Sequence, residues 1–297
     1  MPVGCMSQPT LPNFQRAKPF VKWVGGKRSL LPELLRRVPA QFKNYYEPFV
    51  GGGALFYTLN NKGIIDIGGG GGQAFLSDVN FDLIITYQVI QRDPEPLIAK
   101  LREYAAKHNK GYYYHIRSQH QLDDRVEIAA RFIYLNKTCF NGLWRVNSKG
   151  EFNVPIGSYE NPAICQPEDL RACHVSLQAV EITLCDFCDI APCTDDFVYF
   201  DPPYHTQTSS GFTKYAQDDF GEGEHKALRD LCRCLHERGV FFMLSNSDTP
   251  LVRALYADAP FRIEVMQAPR MVNRNPTGRG AINELLIRNY GKKTDGE

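Results

Sequence analysis

The sequence lacks any long hydrophobic run. Its 297 residues contain no stretch of about 18 uncharged apolar side chains, the length that a membrane-spanning helix needs. The segment Met1–Arg16 also lacks the compact apolar stretch of a signal peptide. These absences predict a cytoplasmic protein without a membrane partner.

Cysteine is too sparse for a disulfide scaffold, with nine residues in the whole chain. Cys185, Cys188 and Cys193 offer one CxxC and a third sulfur, but no second CxxC or histidine pair completes four zinc ligands. We therefore expect reduced thiols and no metal site. A hydrophobic content of 43% excludes an intrinsically disordered chain, and the length allows one elaborated domain or two.

The sequence has almost no net charge, yet its charges are segregated. The formal sum is +1, but basic residues predominate before residue 44, between Lys100 and Lys149, and after Arg262. Acidic residues gather between Glu151 and Asp248. Such blocks permit one positive face for a polyanion such as DNA, and they are equally compatible with an ordinary solvated surface.

Short apolar runs rich in β-branched and aromatic residues predict strands. The predicted strands are Tyr45–Val50, Ala74–Val79, Val180–Phe187, Phe197–Phe200, Val240–Ser245 and Leu285–Tyr290. The helical pattern Glu224–Arg238 lies between two of them, which indicates an α/β fold with a mostly parallel sheet covered on both faces. Leu97–His108 and Val126–Leu135 also have helical periodicity, so residues 86–175 are predicted to form a mainly helical insertion.

The most informative motif is DPPY, Asp201–Tyr204, which follows directly on a predicted strand. Two prolines remove two backbone donors and restrict the preceding residues, so Asp201 and the neighbouring carbonyls form a stiff set of acceptors. Open α/β sheets bind ligands at the carboxyl ends of their strands. A strand that merely ended at two prolines would not account for the flanking acid and tyrosine, and we therefore favour a functional role.

A second strand-to-turn motif is EPFVGGG, Glu47–Gly53. Its glycines allow the backbone to approach a ligand closely, although their spacing fits neither the dinucleotide fingerprint nor a phosphate loop. Asp78 follows about 25 residues later at the end of another predicted strand, where a carboxylate can accept from ribose hydroxyls. The pair indicates a cofactor that contains a nucleoside, unless Asp78 simply caps the next helix.

Together these motifs resemble those of Dam-type DNA adenine-N6 methyltransferases of the D12 class, over about residues 18–290. The further motifs that carry the resemblance are FVKWVGGK (Phe20–Lys27), SDVN (Ser77–Asn80), YLNKTCFNGLWR (Tyr134–Arg145), GEFNVPIG (Gly150–Gly157) and LSN (Leu244–Asn246). The resemblance implies a Rossmann-like methyltransferase fold with a mixed sheet. It divides the chain into a catalytic domain (18–85 and 176–291), a DNA target-recognition domain (86–175), a flexible N-terminal segment (1–17) and a tail (292–297).

The resemblance also implies methyl transfer from S-adenosylmethionine to adenine N6 in double-stranded DNA, within GATC, with the base flipped into the DPPY pocket. Asp201 and the Pro202 carbonyl would accept hydrogen bonds from the amine, and Tyr204 would stack on the ring. The implied cofactor contacts are Trp23, Lys27, Glu47, Phe49, Gly51, Gly53, Asp78, Asp186, Phe187 and Asp201.

The DNA contacts are likewise implied by the resemblance. They are Lys22, Phe140, Asn141, Leu143, Arg145 and Pro155. Phe140 matches an aromatic inserted into the base stack, and Lys22 matches a residue that contacts the first guanine. Arg145 suits guanine, which presents two acceptors in the major groove, but a phosphate contact is the alternative. Residues 273–281 are predicted to be a mobile basic loop near DNA.

Two features depart from the family pattern, the glycine run Gly68–Gly72 and the bulky Trp144 in the recognition loop. They bear on the target sequence and leave the chemistry intact. Other functions stay open at this point: a DNA-binding protein without catalysis, or a methyltransferase for cytosine N4, RNA or a protein glutamine. We expect a monomer of bacterial or phage origin, associated with the nucleoid, with a companion restriction endonuclease as one option. The chemistry requires an Asp201 carboxylate that faces the pocket and is not neutralised elsewhere.

Overall fold

The apolar runs form one seven-stranded mixed sheet. Its strands are β1 (Tyr45–Glu47), β2 (Ala74–Asp78), β3 (Val180–Leu184), β4 (Phe197–Phe200), β5 (Phe241–Ser247), β6 (Arg262–Ala268) and β7 (Ile282–Arg288). The spatial order is β3-β2-β1-β4-β5-β7-β6. Strands β1 to β5 are parallel, and β7 runs antiparallel to both of its neighbours. The predicted α/β class and the mixed sheet are confirmed.

This computed structural model describes residues 16–65 except 24 and 28, and residues 72–206, 220–268 and 282–291. The predictions made for residues 1–15, for glycines 68–71, for the loop 273–281 and for the tail 292–297 therefore lie outside the described part of the chain.

Helices cover the sheet and fill the segment between β2 and β3. They are α1 (Leu31–Leu35), α2 (Ala54–Asn61), α3 (Phe81–Arg92), α4 (Glu95–Lys107), α5 (Lys110–Arg117), α6 (Arg125–Thr138), α7 (Pro167–Leu177), α8 (Glu222–Glu237) and α9 (Pro250–Leu255). Side-chain caps explain several starts: Asn80 accepts from Leu83 N at 3.0 Å before α3, and Asp124 accepts from Glu127 N at 2.9 Å before α6. The three helices predicted from periodicity are present, with boundaries shifted by a few residues.

The helical insertion is continuous with the sheet. Residues 79–179 contain only two isolated antiparallel bridges and no strand, as predicted. The predicted boundary at residue 86 falls inside α3, whose Gln88 and Gln91 side chains donate to main-chain carbonyls of β3 at 2.7 and 2.6 Å. One hydrophobic core extends from the sheet residues Tyr45 and Leu76 to Phe132 in α6. The insertion thus shares its core with one face of the sheet.

A second core lies on the opposite face, where α8 and α9 cover β4 and β5. The sequence prediction missed β6, because Arg262–Ala268 alternates polar and apolar residues at the sheet edge and has no continuous apolar run. It also began the last strand at Leu285 instead of Ile282, and so left Glu284 outside the predicted strand.

Candidate active site

The carboxyl ends of three parallel strands bring the two predicted motifs together. Strand β1 lies between β2 and β4, so the turn after Glu47, the end of β2 at Asp78 and the DPPY segment are neighbours at one edge. All four residues of β4 are buried, as expected for a central parallel strand. The Asp201 side chain keeps 21% of its surface exposed, although its Oδ1 is buried. Asp201 is therefore partly accessible at this edge of the sheet.

Lys27 lies against the DPPY segment. Its Nζ is 2.8 Å from Asp201 Oδ1, donates to Gly25 O at 2.7 Å and lies 4.5 Å from the centroid of the Tyr204 ring. Only 5% of the Lys27 side chain is exposed. Burial raises the pKa of Asp201 above its ordinary value, and the Lys27 ammonium opposes that shift. The ion pair of Asp201 thus lies within the predicted site, with a residue already predicted to bind cofactor.

The glycine turn is packed against Trp23. Gly51 and Gly53 have φ angles of 46° and 65°, which favour glycine. A Cβ added to Gly51 would lie 2.5 Å from the Trp23 indole, so only glycine lets that ring rest on the turn. Asp78 Oδ2 accepts from Gly51 N at 3.1 Å and Asp78 Oδ1 accepts from Asn80 N at 3.0 Å. Burial nevertheless raises the pKa of the Asp78 carboxyl, and the two backbone bonds oppose it.

Glu47 is buried beneath this turn. Its Oε2 accepts from Tyr45 Oη at 2.8 Å and from Phe56 N, in the first turn of α2, at 3.2 Å. Burial raises the pKa of Glu47 to about 8, against the two hydrogen bonds, and the nearby Asp201 charge raises it further. The Glu47 carboxyl therefore links the start of α2 to the end of β1, on the buried side of the glycine turn.

Aromatic rings line the side of the turn next to β3. The Phe49 and Phe187 rings are stacked with centroids 5.4 Å apart, and Phe220 meets Phe49 edge to face at 5.7 Å. Asp186 is exposed, and its Oδ1 accepts from Cys188 N at 2.9 Å. Phe49 and Phe187 thus contact each other, next to Asp186.

Glu284 joins the site although the sequence analysis missed it. Its Oε2 accepts from Tyr204 Oη at 2.8 Å. Because β7 runs antiparallel to β5, the first residues of β7 lie beside Ser247 at the carboxyl end of β5. The only sequence signal is one acidic residue just before the apolar run Leu285–Ile287, and a single acid in a strand has no specific meaning.

The predicted DNA-reading loop follows α6. Phe140–Gly142 form a short 3-10 turn in which Phe140 is 46% exposed and Asn141 has a φ of 56°. Phe140 N donates to Pro155 O at 2.9 Å, which brings two predicted DNA contacts together. Leu143 is partly exposed and Arg145 Nε donates to Asn153 Oδ1 at 2.7 Å.

Trp144 points away from this predicted DNA surface. Its ring packs 4.3 Å from Phe132 and 4.7 Å from Phe152, centroid to centroid. The bulk that departs from the family pattern therefore supports the loop from within, and the predicted contacts Leu143 and Arg145 on either side of it remain at least partly exposed.

Asn136 joins the main chain at Lys22 to this loop. Its buried side chain accepts from Lys22 N at 2.8 Å and donates to Lys22 O at 2.8 Å and to Gly142 O at 3.1 Å. A Cβ on Gly142 would come within 2.8 Å of the Lys22 side chain. The exposed Lys22 ammonium bonds to Tyr159 Oη at 3.1 Å, a partner that the sequence analysis did not single out.

Neither a metal cluster nor a membrane helix is found in the described residues. No three His, Cys, Asp or Glu side chains there are grouped so as to hold a metal ion. Among these residues no helix is both long and apolar enough to cross a bilayer.

A family model for D12 class N6 adenine-specific DNA methyltransferases matches residues 23–272. The chain belongs to this family. It is 39% identical to the Type II methyltransferase M1.LlaDCHI of Lactococcus lactis subsp. cremoris, covering 92% of this chain and 96% of that protein. Identity to the Type II methyltransferase M.MjaIII of Methanocaldococcus jannaschii is also 39%, covering 92% and 99%. A DNA adenine methylase of Vibrio cholerae is 34% identical over 92% and 96% of the two chains.

Membership of this family confirms the resemblance found from the motifs. Its reaction is methyl transfer to N6 of adenine, and its substrate is DNA. The match begins at Trp23 and includes the glycine turn, the helical insertion and DPPY. Family membership therefore favours adenine N6 in DNA as the methyl acceptor over cytosine N4, RNA and protein.

Proposed function

We propose that the protein transfers the methyl group of S-adenosylmethionine to adenine N6 within GATC, after the adenine has flipped out of the duplex. One observation carries the proposal: the segment Lys22–Lys27 contacts three places at once. Lys22 is bound to the loop after α6, Trp23 packs on the glycine turn, and Lys27 bonds to Asp201. Recognised sequence, cofactor and flipped base would meet along this segment.

The groups around the glycine turn fit S-adenosylmethionine. Asp78 offers acceptors for ribose hydroxyls, Lys27 is a cation for the methionine carboxylate, and Trp23 on the glycine turn offers an indole face to the ligand. S-adenosylmethionine supplies a methyl group that a positively charged sulfur already activates. The protein's task is therefore to align the target amine with that methyl group and to exclude water.

The DPPY residues suit that task. The lone pair of the adenine amine is delocalised into the ring, which makes this nitrogen a poor nucleophile. Hydrogen bonds from the amine to the Asp201 carboxylate and the Pro202 carbonyl favour a tetrahedral nitrogen whose lone pair points at the methyl group. The proline backbone holds the Pro202 carbonyl and the main chain of Asp201 in advance, which reduces the reorganisation needed to stabilise the transition state. Tyr204 offers a ring face for stacking.

The Lys27 ammonium lies where the proposal puts the target amine. It donates to the same carboxylate and covers the same Tyr204 ring. Entry of adenine therefore requires Lys27 to leave Asp201, and a cofactor carboxylate is the partner that would receive it. Until then the Lys27 ammonium opposes the effect of burial on the pKa of Asp201.

Base extrusion and sequence reading fall to the loop after α6. The exposed Phe140 ring is available to fill the space that a flipped adenine vacates. Lys22 and Arg145 are suited to guanine acceptors, while Leu143 and Pro155 offer apolar contacts. The hydrogen bond that Arg145 Nε donates to Asn153 Oδ1 fixes the Arg145 side chain, which favours a directed base contact over a loose phosphate contact.

A methylation assay tests the proposal. Purified protein, labelled S-adenosylmethionine and a duplex with one GATC should yield N6-methyladenine, and the same duplex with the four bases scrambled should yield none. Equal labelling of both duplexes would overturn the GATC assignment. DNA binding without any product would favour the catalytically inactive alternative.

We further propose a monomer, to be measured by light scattering, and a companion endonuclease, to be sought as a GATC-cleaving activity in the source cells.

A further inference from the structure

We propose that Glu284 is a positioning residue that holds the Tyr204 ring in the orientation on which the target adenine stacks. The inference rests on the proposed function and adds to it a group outside DPPY. Its basis is one contact: Tyr204 Oη donates to Glu284 Oε2 at 2.8 Å, across 80 residues of sequence.

The backbone alone does not fix the Tyr204 ring. The two prolines restrict the chain up to residue 203, but the ring still turns about its own side-chain bonds. A bond to a carboxylate at the far end of the phenol removes that freedom, and hydrogen bonds with an ionised partner are about twice as strong as neutral ones. The ring is therefore held at both ends, at Cα by the stiff turn and at Oη by β7.

The fold makes Glu284 a rigid anchor. Its main chain is paired on both sides, with Ser247 of β5 and with Met266 of β6. The next three residues of β7, Leu285, Leu286 and Ile287, are fully buried. A carboxylate carried on a strand between two others moves less than one on a loop, which is what a positioning group requires.

The position of Lys27 agrees with this role. The ammonium lies over the face of the Tyr204 ring while the Oη is bonded to Glu284. Glu284 thus holds the Tyr204 ring at its Oη, and one face of the ring stays turned toward the group that lies against Asp201. When the amine replaces the ammonium, the same ring orientation serves the base.

The test compares variants of both partners in single-turnover methylation at saturating S-adenosylmethionine. Glu284→Ala and Tyr204→Phe each break the bond, whereas Glu284→Gln keeps an acceptor without the charge. We expect the rate constant of methyl transfer to fall about tenfold in the first two, the size of one such hydrogen bond, and to recover largely in Glu284→Gln. Because both changes remove one interaction, the double variant Glu284→Ala/Tyr204→Phe should fall no further than either alone.

Asn283→Ala is the matched control, since this exposed neighbour on β7 should leave the rate unchanged. Cofactor and DNA dissociation constants should stay within about twofold in every variant, which separates positioning from misfolding; thermal unfolding checks the fold directly. A Glu284→Gln rate as low as that of Glu284→Ala, or additive losses in the double variant, would overturn the inference. A wild-type protein that forms no N6-methyladenine would instead refute the proposed function.

Discussion

The side chain of Asn136 bonds to both main-chain groups of Lys22. Its amide accepts from the Lys22 nitrogen and donates to the Lys22 oxygen, each at 2.8 Å, and it also reaches Gly142 O at 3.1 Å. One fully buried residue at the end of α6 thereby joins the turn Phe140–Gly142 to the segment that carries Trp23 and Lys27. If the proposed roles hold, this residue couples DNA recognition to catalysis.

Asn136→Asp should therefore be costly. Aspartate cannot donate to the carbonyls of Lys22 and Gly142, and leaving buried acceptors unpaired costs about 1–3 kcal/mol each. We expect the free energy of unfolding to fall by about 2–4 kcal/mol in urea titrations. Asn61→Ala is the control, because it removes a single bond from an exposed asparagine to Ala17 O and should cost under about 1 kcal/mol. Equal losses in the two variants would argue against the special role of Asn136.

Asp201→Ala should separate binding from turnover. In the proposed mechanism the carboxylate acts on the amine during the reaction, so its removal should lower the single-turnover rate by about a thousandfold while DNA affinity changes little. Asp195→Asn provides a control at the other end of β4, where the side chain is exposed and pairs with Lys43. A variant at residue 201 that keeps more than a tenth of the wild-type rate would contradict the assigned chemistry.

The Lys27–Asp201 pair predicts a pH dependence. The proposed mechanism uses the ionised Asp201 carboxylate, and burial raises the pKa of Asp201, so activity should fall as pH drops through this raised pKa. Lys27→Gln removes the charge that opposes the shift and should move this acid limb to higher pH. Profiles of kcat/KM for DNA report groups of the free enzyme. Lys43→Gln, on an exposed pair, should leave the limb in place; identical limbs for all three proteins would contradict the prediction.

Glu47 predicts a pH dependence of stability. Because the pKa of Glu47 is about 8 in the folded protein, the folded state binds more protons than the unfolded chain between pH 4.5 and about 8. Its stabilising contribution is complete below that window and decreases as pH rises through it. Glu47→Gln keeps the acceptor for Tyr45 and Phe56 but does not titrate. Its free energy of unfolding should therefore fall less over this pH window, by up to about 4 kcal/mol. Urea titrations at pH 5.5 and 8 measure it, with the exposed Glu181→Gln as the control that should retain the wild-type slope.

Phe140→Ala should affect base extrusion alone. Because the ring is exposed, the free energy of unfolding should change by less than about 0.5 kcal/mol. A GATC duplex with 2-aminopurine at the target position should show a smaller fluorescence increase on binding, since no ring fills the vacated space. The distant and equally exposed Val175→Ala should behave like wild type. An unchanged fluorescence increase in the Phe140 variant would argue against insertion.

Much of the fold was predictable because its elements are locally encoded. Buried parallel strands such as Phe197–Phe200 are continuous apolar runs, and α8 ends before Gly239 where the sequence places a stop. The prediction missed strand β6 because an edge strand needs no continuous apolar run. It also began β7 too late, at Leu285, and therefore did not include Glu284 in a strand. In the site, the DPPY and glycine motifs could be found because each is contiguous and combines residue types that a plain turn does not require.

By itself, the sequence determined which chemical groups are available: the Asp201 carboxylate after a strand, a glycine turn, and Asp78 at the end of another strand. It also determined that a mainly helical insertion separates the two halves of the sheet. Only the tertiary structure decided which of these groups touch. Asn136 meets Lys22 across 114 residues, Tyr204 meets Glu284 across 80, and Lys27 pairs with Asp201. Such contacts depend on strand order, on the reversed direction of β7 and on side-chain orientation, none of which a local pattern encodes.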